Sequence, residues 1–279
     1  MAFSYFRPAN LNEALIAIGN GAQPIAGGTM LAPNLATFGA GDLSAIVDVR
    51  RLPELNLIQQ EAGLLRIGAA VSLARIAVGP GMTSLDAALR KAARAVGNPN
   101  VRNAGTIGGN LVSSASDAAL KPALMVLDAK VICQSAGRVR ECPIDEFLKN
   151  GLAKELLVEV RVPLEQGRRS GFIKYGWRRA TARSILNVAA SLRIEDSKIF
   201  DPRLSVGGIT CAPVRLPRTE QVLRSAYPSP NWPQQVTEAA GSEPAFKPAP
   251  IAPEEFLPDS YLRRLLQEGF RILLTELVQ

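Results

Sequence analysis

A chain of 279 residues with 47% hydrophobic and 20% charged residues is long enough to bury a substantial core and reads as one or two globular domains. Its net charge of +7 is scattered, with no long Lys/Arg block, and only 5% of residues are aromatic, so nucleic-acid binding finds no support. Three cysteines (Cys133, Cys142, Cys211) and no histidine exclude a four-cysteine cluster, a common zinc site and Ser-His or Cys-His nucleophilic catalysis. No apolar run approaches the roughly 18 residues that span a bilayer. The start MAFSYFRPANLNEAL lacks the basic residues and apolar core of a signal peptide, so the expectation is a cytoplasmic protein with free thiols.

In chain order, Asn10 and Glu13 form a capping-box-like start, and Leu11, Leu15 and Ile18 recur at helical spacing until Gly19. Pro24, Ile25 and Ala26 read as a short buried strand running into Gly27 and Gly28. A further buried strand within Ala45 to Leu55 completes a first lobe. Leu65 to Val71 is strand-like and opens a second. From Ser84 a helix is predicted with Leu85, Ala88, Leu89, Ala92 and Val96 on one stripe and Arg90, Lys91 and Arg94 opposite, ending at Gly97 and Asn98-Pro99. That basic face suits solvent or a partner subunit.

A second glycine pair, Gly108 and Gly109, follows in NPNVRNAGTIGGNL. The next regular helix is predicted from near Pro122. Lys130 to Gln134 and Arg138 to Cys142 read as a hairpin around Ser135-Ala136-Gly137, which would let Cys133 and Cys142 face each other. Ile144 to Leu148 is helical and Glu155 to Val162 a strand. The polar Pro163 to Arg169 marks a domain boundary. Beyond it GFIKYGW, SILNVAASLRI and RLSVGGIT read as three antiparallel strands, then helices. The last helix starts at Asp259 with Leu262, Leu265, Leu266, Leu273 and Leu277 on one side, after a proline-rich connection from Tyr227 to Pro258.

A glycine pair has no Cβ to hold a ligand away, so its backbone N–H groups can approach a phosphate and form an anion-binding nest. Either pair alone reads as a turn. Together, with the side chains of Thr106 and Asn110, they suggest two walls around one phosphorylated ligand. Neither G-x-G-x-x-G nor G-x-x-x-x-G-K-[ST] is present, so the Rossmann and P-loop signatures do not explain them.

AGGTMLAP at Ala26 to Pro33 and VRNAGTIGGNL at Val101 to Leu111 resemble the FAD-binding subunit of the molybdenum hydroxylases, the group of carbon monoxide dehydrogenase and xanthine dehydrogenase. The likeness continues through Leu65 to Ile76, Glu155 to Pro163, Ser205 to Leu216 and Asp259 to Leu266, nearly the whole chain. It implies an α+β fold: a two-lobed FAD-binding domain of the vanillyl-alcohol-oxidase-like type at 1–165 (lobes 1–55 and 56–165), then a smaller domain at 170–279 with a three-stranded antiparallel sheet and helices. By that resemblance Ala26, Gly27, Gly28, Thr29, Met30 and Leu31 form one wall of the FAD site and Thr106, Ile107, Gly108, Gly109 and Asn110 the other. Leu157 matches a position that touches the flavin, and Lys174 a basic residue near its ring.

The resemblance further implies an oxidoreductase subunit working with a molybdopterin-binding large subunit and an iron-sulfur small subunit, passing electrons to NAD, oxygen or another carrier. The metal centres would lie in those partner chains, and no acid-base catalyst is assigned in this one. Three positions depart from the family: Met30 stands where relatives often carry a polar residue, Ala119 where they usually carry an aspartate, and Val96-Gly97 offer no aromatic over the ring. Two alternatives follow, a non-catalytic scaffold with a degenerate flavin site and a free-standing flavin oxidoreductase.

Overall fold

A computed structural model of the chain describes residues 3–39, 41, 43–79, 87–178, 182–208, 211–248 and 257–279. The first elements are β1 (Ser4–Phe6), α1 (Leu11–Gly19), β2 (Gln23–Ile25), α2 (Leu31–Phe38), β3 (Ala45–Asp48), β4 (Ile58–Glu61), β5 (Leu64–Gly68) and α3 (Leu73–Val78). There follow α4 (Ala87–Ala95), α5 (Pro99–Ala104), α6 (Ile107–Val112), α7 (Leu120–Val126), β6 (Lys130–Ser135), β7 (Arg138–Pro143), α8 (Ile144–Asn150) and β8 (Leu156–Pro163). The last are β9 (Arg168–Gly176), β10 (Ser184–Glu195), β11 (Lys198–Gly208), β12 (Cys211–Arg215), α9 (Pro217–Ala226), α10 (Trp232–Gly241) and α11 (Asp259–Val278). Among the described residues no helix is long and apolar enough to cross a membrane.

The chain forms two compact units. One comprises Met1–Ile76, Pro99–Ser113 and Asp128–Pro163, the other Ala77–Asn98, Ser114–Leu127 and Leu164–Gln279. The expected division at residues 165–170 therefore does not by itself separate them. Two segments from the first 165 residues, carrying α4 and α7, fold with the later strands because their apolar faces find partners there.

In the first unit β1, β3 and β2 form a parallel sheet in that order. Helix α1 covers it with Ala14, Leu15 and Ile18, which join Val47, Val49, Leu52 and Leu55 in one core with Leu156 and Val158 from β8. The predicted cap is present: Asn10 Oδ1 accepts from the Glu13 N–H at 3.0 Å, and the Glu13 carboxylate accepts from the Ala9 N–H at 2.8 Å. Such a cap contributes about 1 kcal/mol. The second sheet is antiparallel, ordered β4-β5-β8-β6-β7. It joins the first sheet's core directly, the Ala70 N–H donating to the Leu55 carbonyl at 2.8 Å. Beside that bond Gly68 is bare where a Cβ would lie 2.3 Å from the same oxygen.

The hairpin β6-β7 pairs Cys133 with Arg140 and Val131 with Cys142. The two thiols are therefore offset and do not oppose each other as the sequence allowed. Both are free and buried. Burial pushes the Cys133 thiol up to about 12, while Arg140 Nη1 donates to Cys142 Sγ at 3.0 Å.

Across this sheet runs a row of alternating charge. Burial alone would raise Glu159, but hydrogen bonds from Arg66 (2.7 Å) and Arg161 (2.6 Å) hold its carboxyl below the ordinary 4.5. A carboxylate whose folded value is depressed stabilises fully above its unfolded value and loses that contribution as pH falls through the folded one. Glu159→Gln is therefore expected to lower stability by about 1.5 kcal/mol near neutral pH, with the deficit shrinking below pH 4.5. Urea unfolding of both proteins across that range measures it.

The second unit is built on an antiparallel sheet ordered β12-β11-β10-β9. It has four strands, not the three expected. The fourth, Cys211–Arg215, carries Pro213, which lacks a ladder donor and is tolerated because β12 lies at the edge. One face packs on α11 through Leu262, Leu266, Phe270, Leu273, Leu274 and Leu277 against Val188, Ala190, Leu204 and Val206. Of the predicted stripe, Leu265 is only partly buried, and Phe270 and Leu274 complete it.

Helices α4 and α7 also pack on these strands. In α4 Ala88, Leu89, Ala92 and Ala93 are buried; the predicted start at Ser84 and Leu85 lie outside the described residues. The basic face is partly committed within the unit. Lys91 pairs with Glu276 at 2.5 Å and Arg94 Nε donates to the Ala77 carbonyl at 2.9 Å.

Candidate functional site

Parallel strands present ligands at their carboxyl ends, and β2 ends in Ala26-Gly27-Gly28-Thr29-Met30, the loop leading into α2. Gly28 sits at φ +68°, a conformation that side chains rarely adopt. The carbonyl of Gly28 accepts from the Ala32 N–H at 2.9 Å and that of Met30 from the Asn34 N–H at 3.3 Å. Among the described residues, no acceptor meets the amides of Gly27, Gly28, Thr29, Met30 or Leu31. Five consecutive donors at the start of an eight-residue helix form a concentrated site for an anion.

The second glycine loop adjoins the first. A Cβ on Gly27 would lie 2.0 Å from the Ala104 carbonyl oxygen and 2.9 Å from Gly105 Cα, so two backbones meet where no side chain fits. A Cβ on Gly105 would come 3.4 Å from the Thr29 hydroxyl.

The nest expected from the amides of Gly108 and Gly109 is not present. The Ile107 N–H donates to the Val71 carbonyl at 3.0 Å and the Gly108 N–H to that of Ala69 at 2.9 Å. Thr106, the N-cap of α6, accepts from the Gly109 N–H through Oγ1 at 3.1 Å, and its carbonyl accepts from the Asn110 N–H at 3.0 Å. The reason is attachment. This six-residue helix is tied by its own first amides to the chain that follows β5, and Gly108 is bare because a Cβ there would press on Ala69 at 2.8 Å. Gly109 differs, since a Cβ would meet only Thr106 Oγ1, at 3.1 Å. The second loop thus offers bare surface at Gly109, and the first loop offers the donors.

These residues fit a diphosphate. Charge-assisted hydrogen bonds from the loop amides would meet its oxygens, and the missing side chain at Gly109 leaves room for close approach. Met30, half exposed, adds no side-chain donor.

Of the remaining predicted site residues, Leu157 is buried in β8, opposite Cys133. Lys174 belongs to the other unit, on β9. Its Nζ donates to the carbonyls of Ala95 (2.9 Å) and Ala182 (2.7 Å), and burial lowers its pKa against the pull of Asp117. In the same unit Ala119 is buried at the N-cap of α7 with no side-chain bond. Asp117 does not take over the missing family aspartate's place freely, because its carboxylate accepts from Arg183 Nε at 3.4 Å and its carbonyl from Asn187 Nδ2 at 3.3 Å. Sequence reading missed Asn187. It is fully buried, its Oδ1 has no partner among the described residues, and the only signal was one amide inside the apolar run SILNVAAS.

Residues 1–165 match the family described as the FAD binding domain in molybdopterin dehydrogenase, and residues 172–268 that described as the CO dehydrogenase flavoprotein C-terminal domain. Over 234 residues the chain is 32% identical to the putative xanthine dehydrogenase FAD-binding subunit of Escherichia coli (strain K12), with 80% of each chain covered. It is 28% identical over 254 residues to the nicotine 6-hydroxylase medium subunit of Paenarthrobacter nicotinovorans, covering 88% of each. Among solved structures, that of quinoline 2-oxidoreductase from Pseudomonas putida 86 superposes with a TM-score of 0.88 at 27% identity, covering 100% of this chain and 98% of that one. With both of its halves matched in this way, the chain belongs to the FAD-binding medium subunits of the molybdenum hydroxylases, which are oxidoreductase subunits.

Proposed function

We propose that this chain holds FAD as the electron outlet of a multi-subunit molybdenum hydroxylase. The observation that carries the reading is the run of amides from Gly27 to Leu31 that meet no acceptor among the described residues, in a loop whose Gly27 abuts Ala104 and Gly105 of the second glycine segment. Ala26, Gly27, Gly28, Thr29, Met30 and Leu31 would hold the diphosphate, with Thr106, Ile107, Gly108, Gly109 and Asn110 shaping the facing wall and Leu157 lying behind. Residues 1–165 would serve as the binding domain and 170–279 as the domain that completes the subunit. When bound, FAD supplies the redox chemistry, accepting electrons and passing them on.

The chain's own contribution is to bind and orient the cofactor. No residue is assigned an acid-base role. Lys174 gives two of its three donors to carbonyls of its own unit, and by the family likeness it is the basic residue proposed for the flavin ring. Electrons would arrive from an iron-sulfur small subunit fed by a molybdopterin-binding large subunit, and leave to NAD, oxygen or another carrier. The free thiols suit a cytoplasmic setting.

A second reading, a scaffold with a lapsed flavin site, draws on the internally bonded amides of the second loop and on Ala119. Absorption spectra of the purified chain before and after incubation with FAD and desalting decide between them. Retention of nearly one flavin per chain is expected. A colourless protein that takes up none would overturn the flavin reading in favour of the scaffold.

A further inference from the structure

The order β1-β3-β2 leaves β1 at an edge. Natural edge strands are blunted by shortness, charge, proline or a bulge, and β1, three residues long and followed by Arg7-Pro8, is short. It nevertheless shows aromatics to solvent: Phe3 is 36% exposed, Tyr5 52% and Phe6 42%. The Ser4 N–H donates inward to the Ser44 carbonyl at 3.0 Å, so the alternation of a parallel strand turns the backbone groups of Tyr5 outward.

The side chains along this edge are pinned. Asp48, with its side chain 3% exposed, accepts from the Tyr5 hydroxyl at 2.6 Å through Oδ2 and from the Arg50 N–H at 3.0 Å through Oδ1. The same Oδ2 lies 3.5 Å from Arg7 Nε and 3.7 Å from Arg50 Nη2. The Arg7 guanidinium also sits 5.6 Å from the Tyr5 ring centre. One buried carboxylate therefore orders Tyr5, Arg7 and Arg50, while both arginines stay more than half exposed. Ordering long side chains before contact removes part of the cost of binding, and tyrosine and arginine are the residue types that anchor interfaces.

We propose that the free edge of β1 is the docking strand for an extended acidic segment of a partner subunit, which adds beside it as a further strand. Main-chain bonds to β1 give affinity, in the manner of strand addition. Arg7, Arg50 and the neighbouring exposed Arg51 select for acid. The chain's net charge of +7 steers the same choice. The proposal rests on assembly with partner subunits as proposed above.

The test uses the tagged chain isolated from its own organism with its partner subunits, compared with the chain alone. In the complex, amide hydrogen exchange at residues 3–7 slows by about tenfold or more. A p-benzoylphenylalanine placed at Phe3 cross-links to a stretch of Asp and Glu in a partner subunit. Phe6→Asp, which leaves Asp48 and its partners intact, weakens association about tenfold while thermal stability of the chain is unchanged. An intact complex in which residues 3–7 exchange as fast as in the free chain sinks this proposal alone, and so does a cross-link to a second copy or to lipid. A chain that always purifies without partners sinks the assembly reading with it.

Discussion

Gly27→Ala is expected to destabilise the protein by about 3 kcal/mol and to abolish flavin retention, whereas Gly109→Val abolishes flavin retention and leaves the fold nearly as stable. The two glycines are bare for different reasons. At Gly27 an added methyl carbon would fall 2.0 Å from the Ala104 carbonyl oxygen, and the obstacle is backbone. Relief requires the two loops to part, which breaks packing and site together. At Gly109 the added atom meets only the Thr106 hydroxyl at 3.1 Å, and the backbone there does not need a positive φ. A branched side chain would then occupy the space where we propose that the diphosphate lies. Thermal unfolding and flavin absorbance after desalting separate the two cases. Flavin retained by Gly109→Val would show that the second wall lies elsewhere.

Lys174→Met should cost about 2 kcal/mol or more, because the carbonyls of Ala95 and Ala182 lose their donor inside the protein. The pH dependence has a definite sign. Burial lowers the folded pKa of Lys174 below the ordinary 10.5, so the unfolded chain binds more protons at this group in the window between the two values. Stability from Lys174 therefore rises with pH through that window. The neutral amine keeps two N–H groups, enough for both carbonyls. Relative to Lys174→Met, the parent protein should gain stability as the pH rises toward the ordinary lysine value of 10.5, measured by denaturant unfolding. An unchanged difference would mean that the ammonium stays fully charged and solvated.

What could be read from the sequence was local in origin. The Asn10–Glu13 cap, the hairpin around Gly137 and the leucines of α11 each follow from residues within one or two turns of each other. The glycine pairs were visible as bare positions, but their roles were not. Gly108 is bare for Ala69 and Gly27 for Ala104, neighbours that only the fold supplies. The fourth strand was hidden by Pro213, whose tolerance depends on the strand being at an edge. Likewise Lys91 looked like a solvated or partner-facing charge, and its partner is Glu276, 185 positions away. Lys174 was singled out by likeness alone. Its two carbonyl partners are brought to it by the end of α4 and by the chain just before β10.

The interleaving of the units has a consequence for synthesis on the ribosome. Helix α4 emerges well before β9, and the bond from Lys174 to Ala95 joins positions 79 residues apart. Until β9 to β11 have followed, Ala88, Leu89, Ala92 and Ala93, together with the wholly buried α7, lack the sheet that covers them in the folded chain. A nascent chain paused near residue 165, or a gene cut there, would present two sticky helices to its surroundings, a hazard for aggregation that a simple end-to-end arrangement of domains would avoid.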